Sequence, residues 1–302
     1  MKVILILYSL CYLSYPQFLC AADRQQIEKQ IKQNLNRPLP QKLLQFSSLF
    51  LGHPSSLNGP LGEGGQGEFD QDPLYRFDQF DCTTYVETVM ALSQSISFSD
   101  FEHKINQIRY ATGRPHFFSR NHFISKQWIK SNDKKGFVSD ITLKISQEFI
   151  GKHLVKAKID PFNWVQHFNP EIIQIPHLNQ QQKQTKLLKL KQMASQYYQT
   201  STASIVDTIL PGIPFKEFLY YAEIEKSIPQ GAILNFLGPI RIPGTGLIVL
   251  HQGLAIWKNK ILYLRHATTV GEKKILDIKL SDYISQFSPN SKYQAINILK
   301  IN

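Results

Sequence analysis

The chain has 302 residues, 42% hydrophobic and 19% charged, with a formal net charge of +11 at pH 7. That is folded globular material with length for a substantial core, which excludes a disordered, collagen-like or disulfide-dense scaffold. The positive balance favours anionic surroundings, but no basic helix, zinc spacing or aromatic–glycine motif is present, so no nucleic-acid partner is expected.

Residues 1–22 (MKVILILYSLCYLSYPQFLCAA) carry one charge, Lys2, then an apolar run that ends in small residues. The pattern predicts a secretory signal peptide, cleaved after Ala21 or Ala22, and hence a periplasmic or extracellular protein. Ser9, Ser14 and Pro16 break the run, so the mature chain should have no stable membrane span. Phe18-Leu19 before Cys20 lacks the small residue that lipoprotein processing requires. Cleavage also removes Cys11 and Cys20. Cys82 is then alone in an oxidising compartment where structural cysteines come in pairs, either as an inert buried thiol or as a reactive one.

Residues 23–302 are expected to form one domain. Apolar positions at helical spacing predict two short helices around NRPLP within 23–51. A long Gly/Pro/Asp-rich stretch follows and leads straight into Cys82, as functional loops often do. A helix is predicted over about 82–94 with Asp81 as N-cap, and the next begins at SFSDFEHK with Ser97 or Ser99 as cap. Residues 150–225 are the least informative. NQQQKQTKLLKLKQMASQYY predicts a polar helix whose Leu187, Leu190, Met193 and Tyr197 face the core, so 150–225 is expected to be a helical insertion rather than a second domain. GAILNFLG, GLIVLHQGLAIW, KILYLRHATT and YQAINILKI predict strands, with LSDYISQF a short helix. Helices first and an antiparallel sheet after make an α+β layout.

A cysteine in the first turn of a helix meets unpaired N–H groups and the positive end of the macrodipole, both of which favour the thiolate. It can attack an amide carbonyl with its own backbone N–H near the developing oxyanion. The histidines bear on this choice. His251 sits in an apolar strand and His266 at the end of the next, and an unpaired buried imidazole costs free energy. A turn at Lys258-Asn259 sets His251 opposite His266. A turn one residue later sets Thr268 there, with His266 still on the same face. Either register offers a nucleophile, a base and a polar orienter.

FDCTTYVETVMAL, SRNHF…WI, GAILNF and LHQGLAIW…LYLRHAT resemble the DUF1460 family of bacterial cell-wall amidases, in the NlpC/P60 clan of papain-like cysteine hydrolases. The resemblance runs, with gaps, from about residue 51 to the end. It implies a papain-like NlpC/P60 fold with helices on an antiparallel sheet, and hydrolysis of the amide between N-acetylmuramic acid and L-alanine in peptidoglycan or muropeptides. By position it makes Cys82 the nucleophile, His251 the general base and His266 the orienting member. Asp81 resembles a residue that binds the amino end of the stem peptide in related endopeptidases; a helix cap is its other reading. Glu87 is either a ligand contact or a supporting carboxylate. Arg120, Asn121 and His122 are candidates for substrate carboxylates or for bracing the site, and Glu63 in the glycine loop for walling the cleft. His53-Pro54-Ser55 replaces the "PY" common in relatives.

No cofactor is expected. A metal amidase is disfavoured, because no HExxH or comparable ligand spacing exists. Two alternatives stay open: a stem-peptide endopeptidase, and a non-catalytic cell-wall binding protein with a structural Cys82.

Overall fold

The structure is a computed structural model, and it describes residues 21–56, 61–200, 206–238, 248–288, 291 and 293–302. Apart from its last two residues, the expected signal peptide lies outside the described residues.

The two helices expected at the start are α1 (Ala21–Asn34) and α2 (Leu39–Ser48), parted by the NRPLP turn. The glycine-rich loop follows, then α3 (Cys82–Gln94) and α4 (Phe98–Arg109). Ser97 caps α4 by accepting from the Asp100 N–H at 3.1 Å. The SRNHF segment continues into a π-turn at Ile124–Trp128 and then α5 (Ile129–Lys134). Strand β1 (Val138–Asp140), α6 (Thr142–Ile150) and β2 (Leu154–Ile159) follow.

Next come α7 (Pro161–Gln166), α8 (Gln180–Thr200) and β3 (Val206–Pro211), which pairs with β2 as a two-stranded ribbon. Then β4 (Ile213–Pro214), α9 (Phe215–Tyr220) and α10 (Ala222–Lys226) lead to β5 (Ile233–Leu237). The last elements are β6 (Val249–Lys258), β7 (Ile261–Ala267), β8 (Ile275–Lys279), α11 (Leu280–Ser285) and β9 (Ala295–Ile301).

Among the described residues the main sheet runs β1-β9-β5-β6-β7-β8, with β4 also on β9, and its strands all pair antiparallel. Alternating side chains send one set to each face. Leu254 and Ile256 join α3 residues such as Val86 and Val89 in one core. Leu234, Ala255 and Leu264 join α11 and α9 on the other face. The mixed helix and antiparallel-sheet layout is α+β.

Two details differ from the sequence reading. The β6–β7 turn falls on Asn259-Lys260, with φ of 49° and 65°, and pairs Lys258 with Ile261. Both residues take the left-handed conformation that a two-residue hairpin turn demands. This is the later of the two registers considered. In the middle region α8 does form with Leu187 and Leu190 buried as expected, beside Ala194 and Tyr198, but Tyr197 is 44% exposed. They pack with Phe69, Phe117 and Phe118 in a third cluster instead of against the main sheet.

Candidate active site

The start of α3 is fixed by its own sequence. Asp81 accepts from the Thr84 N–H at 2.7 Å, and Thr84 Oγ1 accepts from the Asp81 N–H at 2.9 Å. This reciprocal box satisfies two end donors, worth about 1 kcal/mol for the cap alone. It leaves Cys82 at the first helical position, half-buried and free of any disulfide.

Cys82 lines a cavity of about 290 Å³ together with Asp81, His251, Arg120, Asn121 and His122. Behind His251, its Nε2 lies 2.7 Å from His266 Nδ1. Continued toward His251, the β6–β7 register sets His266 opposite Gly253 and Thr268 opposite His251, so the two imidazoles meet diagonally. Gly253 makes room for that approach: a Cβ there would stand 2.9 Å from the Arg265 carbonyl oxygen and 3.0 Å from His266 Cβ. The glycine of the HQG run is therefore required by packing.

The electrostatics separate the roles. Burial pushes the Cys82 thiol up to about 11, reinforced by the Asp81 carboxylate and opposed by the Gln252 backbone N–H. A thiol held up in this way needs a base to take its proton before it can act as a nucleophile. His266 is 3% exposed, and that burial lowers it to about 4. A neutral His266 can accept through Nδ1 from His251 Nε2–H, which leaves His251 Nδ1 for the thiol proton. Three rings that the sequence reading did not single out enclose the pair. Phe236 and Tyr293 lie 5.8 and 6.2 Å from the His251 ring centroid, and Tyr283 lies 5.2 Å from that of His266.

The remaining candidates divide. Asp81 caps α3 and also lines the cavity. Glu87 is 3% exposed and lies at the cavity floor, where its carboxylate accepts from Arg109 Nε at 2.8 Å and Trp128 Nε1 at 2.9 Å. Arg120 donates to the Leu61 carbonyl at 2.6 Å, which ties the cavity to the glycine loop. Asn121 is buried and donates to the Ile108 carbonyl at 3.2 Å. His122 Nε2 bonds the Phe117 carbonyl at 2.8 Å, and its ring lies against Phe117 and Trp164. Burial, with the Arg120 charge, lowers His122 to about 3, so it is neutral at physiological pH.

Glu63 lies outside this cavity and borders a second one formed by the glycine loop. It is 7% exposed, and neither carboxylate oxygen has a hydrogen-bond partner among the described residues. Burial, then the neighbouring Asp70, raise it to about 7. Among the described residues no group of His, Cys, Asp or Glu is arranged to hold a metal ion, and no helix is long and apolar enough to cross a membrane.

A helix-start cysteine beside a tied histidine pair, on an α+β scaffold, defines a class of candidate hydrolases. Residues 45–289 match the family of AmiA-like, N-acetylmuramoyl-L-alanine amidase-like proteins, and the chain belongs to that family. It is similar to a Legionella pneumophila str. Philadelphia 1 protein described by the family model DUF1460, with a TM-score of 0.84 and 29% identity over 93% of this chain and 94% of that one. It is also similar to a Bacteroides uniformis N-acetylmuramoyl-L-alanine amidase (TM-score 0.62, 22% identity, 87% and 99% covered). A putative xylanase from Bacteroides fragilis shares the fold as well (TM-score 0.57, 22% identity, 85% and 100% covered). No curated protein matches.

Proposed function

We propose that this chain is a metal-independent cysteine amidase that hydrolyses the amide between N-acetylmuramic acid and L-alanine in peptidoglycan or its muropeptides. The observation that carries the reading is Cys82, at the capped start of α3, in one cavity with His251, whose far nitrogen is tied to His266 at 2.7 Å. Family membership supports the amidase class. The papain-like NlpC/P60 character of the fold, and export directed by residues 1–22, belong to the same proposal.

In the first step His251 Nδ1 takes the thiol proton as Cys82 Sγ attacks the lactyl carbonyl of the muramoyl group. The carbonyl becomes an oxyanion close to the Cys82 backbone N–H, one of the unpaired donors of the helix start. Collapse expels the L-alanine amine, which takes a proton from His251. A water, deprotonated by His251, then releases the muramoyl carboxylate and restores the thiol. His266 holds the ring throughout, and its neutrality keeps it an acceptor when His251 carries two protons. Asp81, Arg120, Asn121 and His122 form the substrate side of the cavity, with Glu87 and Arg109 as its floor.

Defined muropeptides incubated with the mature chain and resolved by mass spectrometry test the bond. Free sugar and an intact peptide beginning with L-alanine are expected. A peptide shortened at its amino end establishes the endopeptidase instead, and no cleavage at all favours the non-catalytic binding protein.

A further inference from the structure

On the face of the sheet opposite His251, three amides lie side by side on three strands. Asn235 on β5 is the register partner of both Gln252 on β6 and Asn297 on β9. All three are 0–1% exposed. Gln252 Nε2 donates to Asn235 Oδ1 at 2.7 Å, and Asn235 Nδ2 donates to Asn297 Oδ1 at 2.9 Å.

The far end fixes the direction of the row. Asn297 Nδ2 faces Asp140 Oδ2 at 2.8 Å, Thr142 Oγ1 at 2.9 Å and the Pro211 carbonyl at 3.1 Å. A carboxylate oxygen and a carbonyl only accept. Thr142 sends its own proton to the Ile298 carbonyl, so it too accepts here. Asn297 must therefore present its nitrogen to this cluster and its oxygen to Asn235. Each amide in turn is oriented by the one before it. The chain of donors ends with Gln252 Oε1, which accepts from Thr83 Oγ1 at 2.8 Å.

Thr83 follows the cysteine, and its Oγ1 is 4.0 Å from Cys82 Sγ. A hydroxyl has one proton. With that proton committed to Gln252, only lone pairs face the sulfur. We propose that Gln252, Asn235 and Asn297 are positioning residues that act through Thr83, holding its hydroxyl as an acceptor toward Cys82 so that it cannot donate to the thiolate. That the spared thiol proton goes to His251 rests on the function proposed above; the orientation of Thr83 does not. The chemical benefit is reactivity, because a thiolate stabilised by an extra donor is a weaker nucleophile.

The test is the pH dependence of iodoacetamide labelling at the Cys82 peptide, measured on the whole chain by mass spectrometry. Among the described residues the titratable and charged groups around Cys82 are Asp81 and Glu87 from α3, Arg109 from α4, Arg120 and His122 from the segment after it, His251 from β6, Tyr283 from α11 and Tyr293 ahead of β9, and the variants leave all of them in place. Gln252→Leu frees the Thr83 hydroxyl to turn to sulfur, and the labelling midpoint should fall by about one pH unit. Thr83→Val alone should leave the midpoint in place, and adding it to Gln252→Leu should restore the wild-type value. A row with only a structural role lowers stability in these variants without moving the midpoint. An unmoved midpoint in Gln252→Leu, or a raised one in Thr83→Val, overturns the proposal. If Gln252→Leu does not fold, Thr83→Val decides: a raised midpoint means the wild-type hydroxyl donates to sulfur, and an unchanged one supports the proposal. Labelling needs no substrate, so a failed amidase assay leaves this result standing.

Discussion

His251 and Gln252 are consecutive on β6 and point to opposite faces of the sheet, as consecutive strand residues must. His251 is set among rings, from Phe236, Tyr283 and Tyr293, and is tied to His266. Gln252 is set among amides that have no titration of their own and are anchored at Asp140, Thr142 and Pro211. The ring-lined face lets a proton be gained and lost with little else to rearrange. The amide face is locked by hydrogen bonds whose direction only a buried donor–acceptor conflict could reverse, at about 1–3 kcal/mol for each group left unpaired. In the proposed mechanism, one residue step along a strand thus separates the part that changes state from the part that does not.

The largest effect is expected from removing the thiol that both faces are proposed to serve. Cys82→Ala should reduce turnover by about 10⁴-fold or more in a muropeptide hydrolysis assay while thermal unfolding stays close to wild type. Next is the ion pair beneath α3, on the amide side. Glu87→Gln leaves Arg109 charged and buried with its carboxylate partner gone, and should cost about 3–5 kcal/mol in denaturant unfolding. On the ring side, His266→Phe keeps the aromatic packing but removes the acceptor for His251, and kcat should fall about 10²-fold with KM little changed. Gly253→Ala places a methyl against the Arg265 carbonyl and His266 and should destabilise by about 1–3 kcal/mol, with a matching loss of kcat as the histidine pair is displaced.

The smallest effect is electrostatic and depends on pH. His266 and His122 are lowered on folding, so their stability contribution is full above their unfolded value and is lost as pH falls from about 6.5 toward about 4 and 3. Glu63 is raised to about 7, so its contribution is full below its unfolded value, near 4.3, and is lost as pH rises through 7. Glu63→Gln should therefore gain in melting temperature over wild type progressively between pH 5 and pH 8. A difference that is constant over that range contradicts the assignment.

The chemistry-bearing elements were legible because each carries a local signal. Asp81 ahead of an apolar-periodic run marks the start of α3, and a histidine inside GLIVLHQGLAIW is out of place without a partner. The sequence leaves the hairpin turn open between two positions because Lys260, not a glycine, takes the second left-handed place. The amide row was missed for a different reason. Asn235 in GAILNFLG, Gln252 in LHQG and Asn297 in QAINIL are each unremarkable alone, and their alignment exists only once β5, β6 and β9 pair. Two of the rings around the histidines, Tyr283 and Tyr293, come from α11 and the segment before β9, which no motif links to β6. For α8 the helix and its buried Leu187 and Leu190 are readable, but the cluster they join is not, because it is built with Phe69 of the glycine loop and Phe117 and Phe118 rather than on the sheet.

The claim that Cys82 attacks the muramoyl carbonyl is tested most directly by trapping what the sulfur holds. Enzyme mixed with a defined muropeptide, acid-quenched within the first turnovers and digested, should yield a Cys82 peptide heavier by the N-acetylmuramoyl group, with the L-alanine peptide already free. A Cys82 adduct that still carries stem-peptide residues, or turnover that persists in Cys82→Ala, would contradict the account.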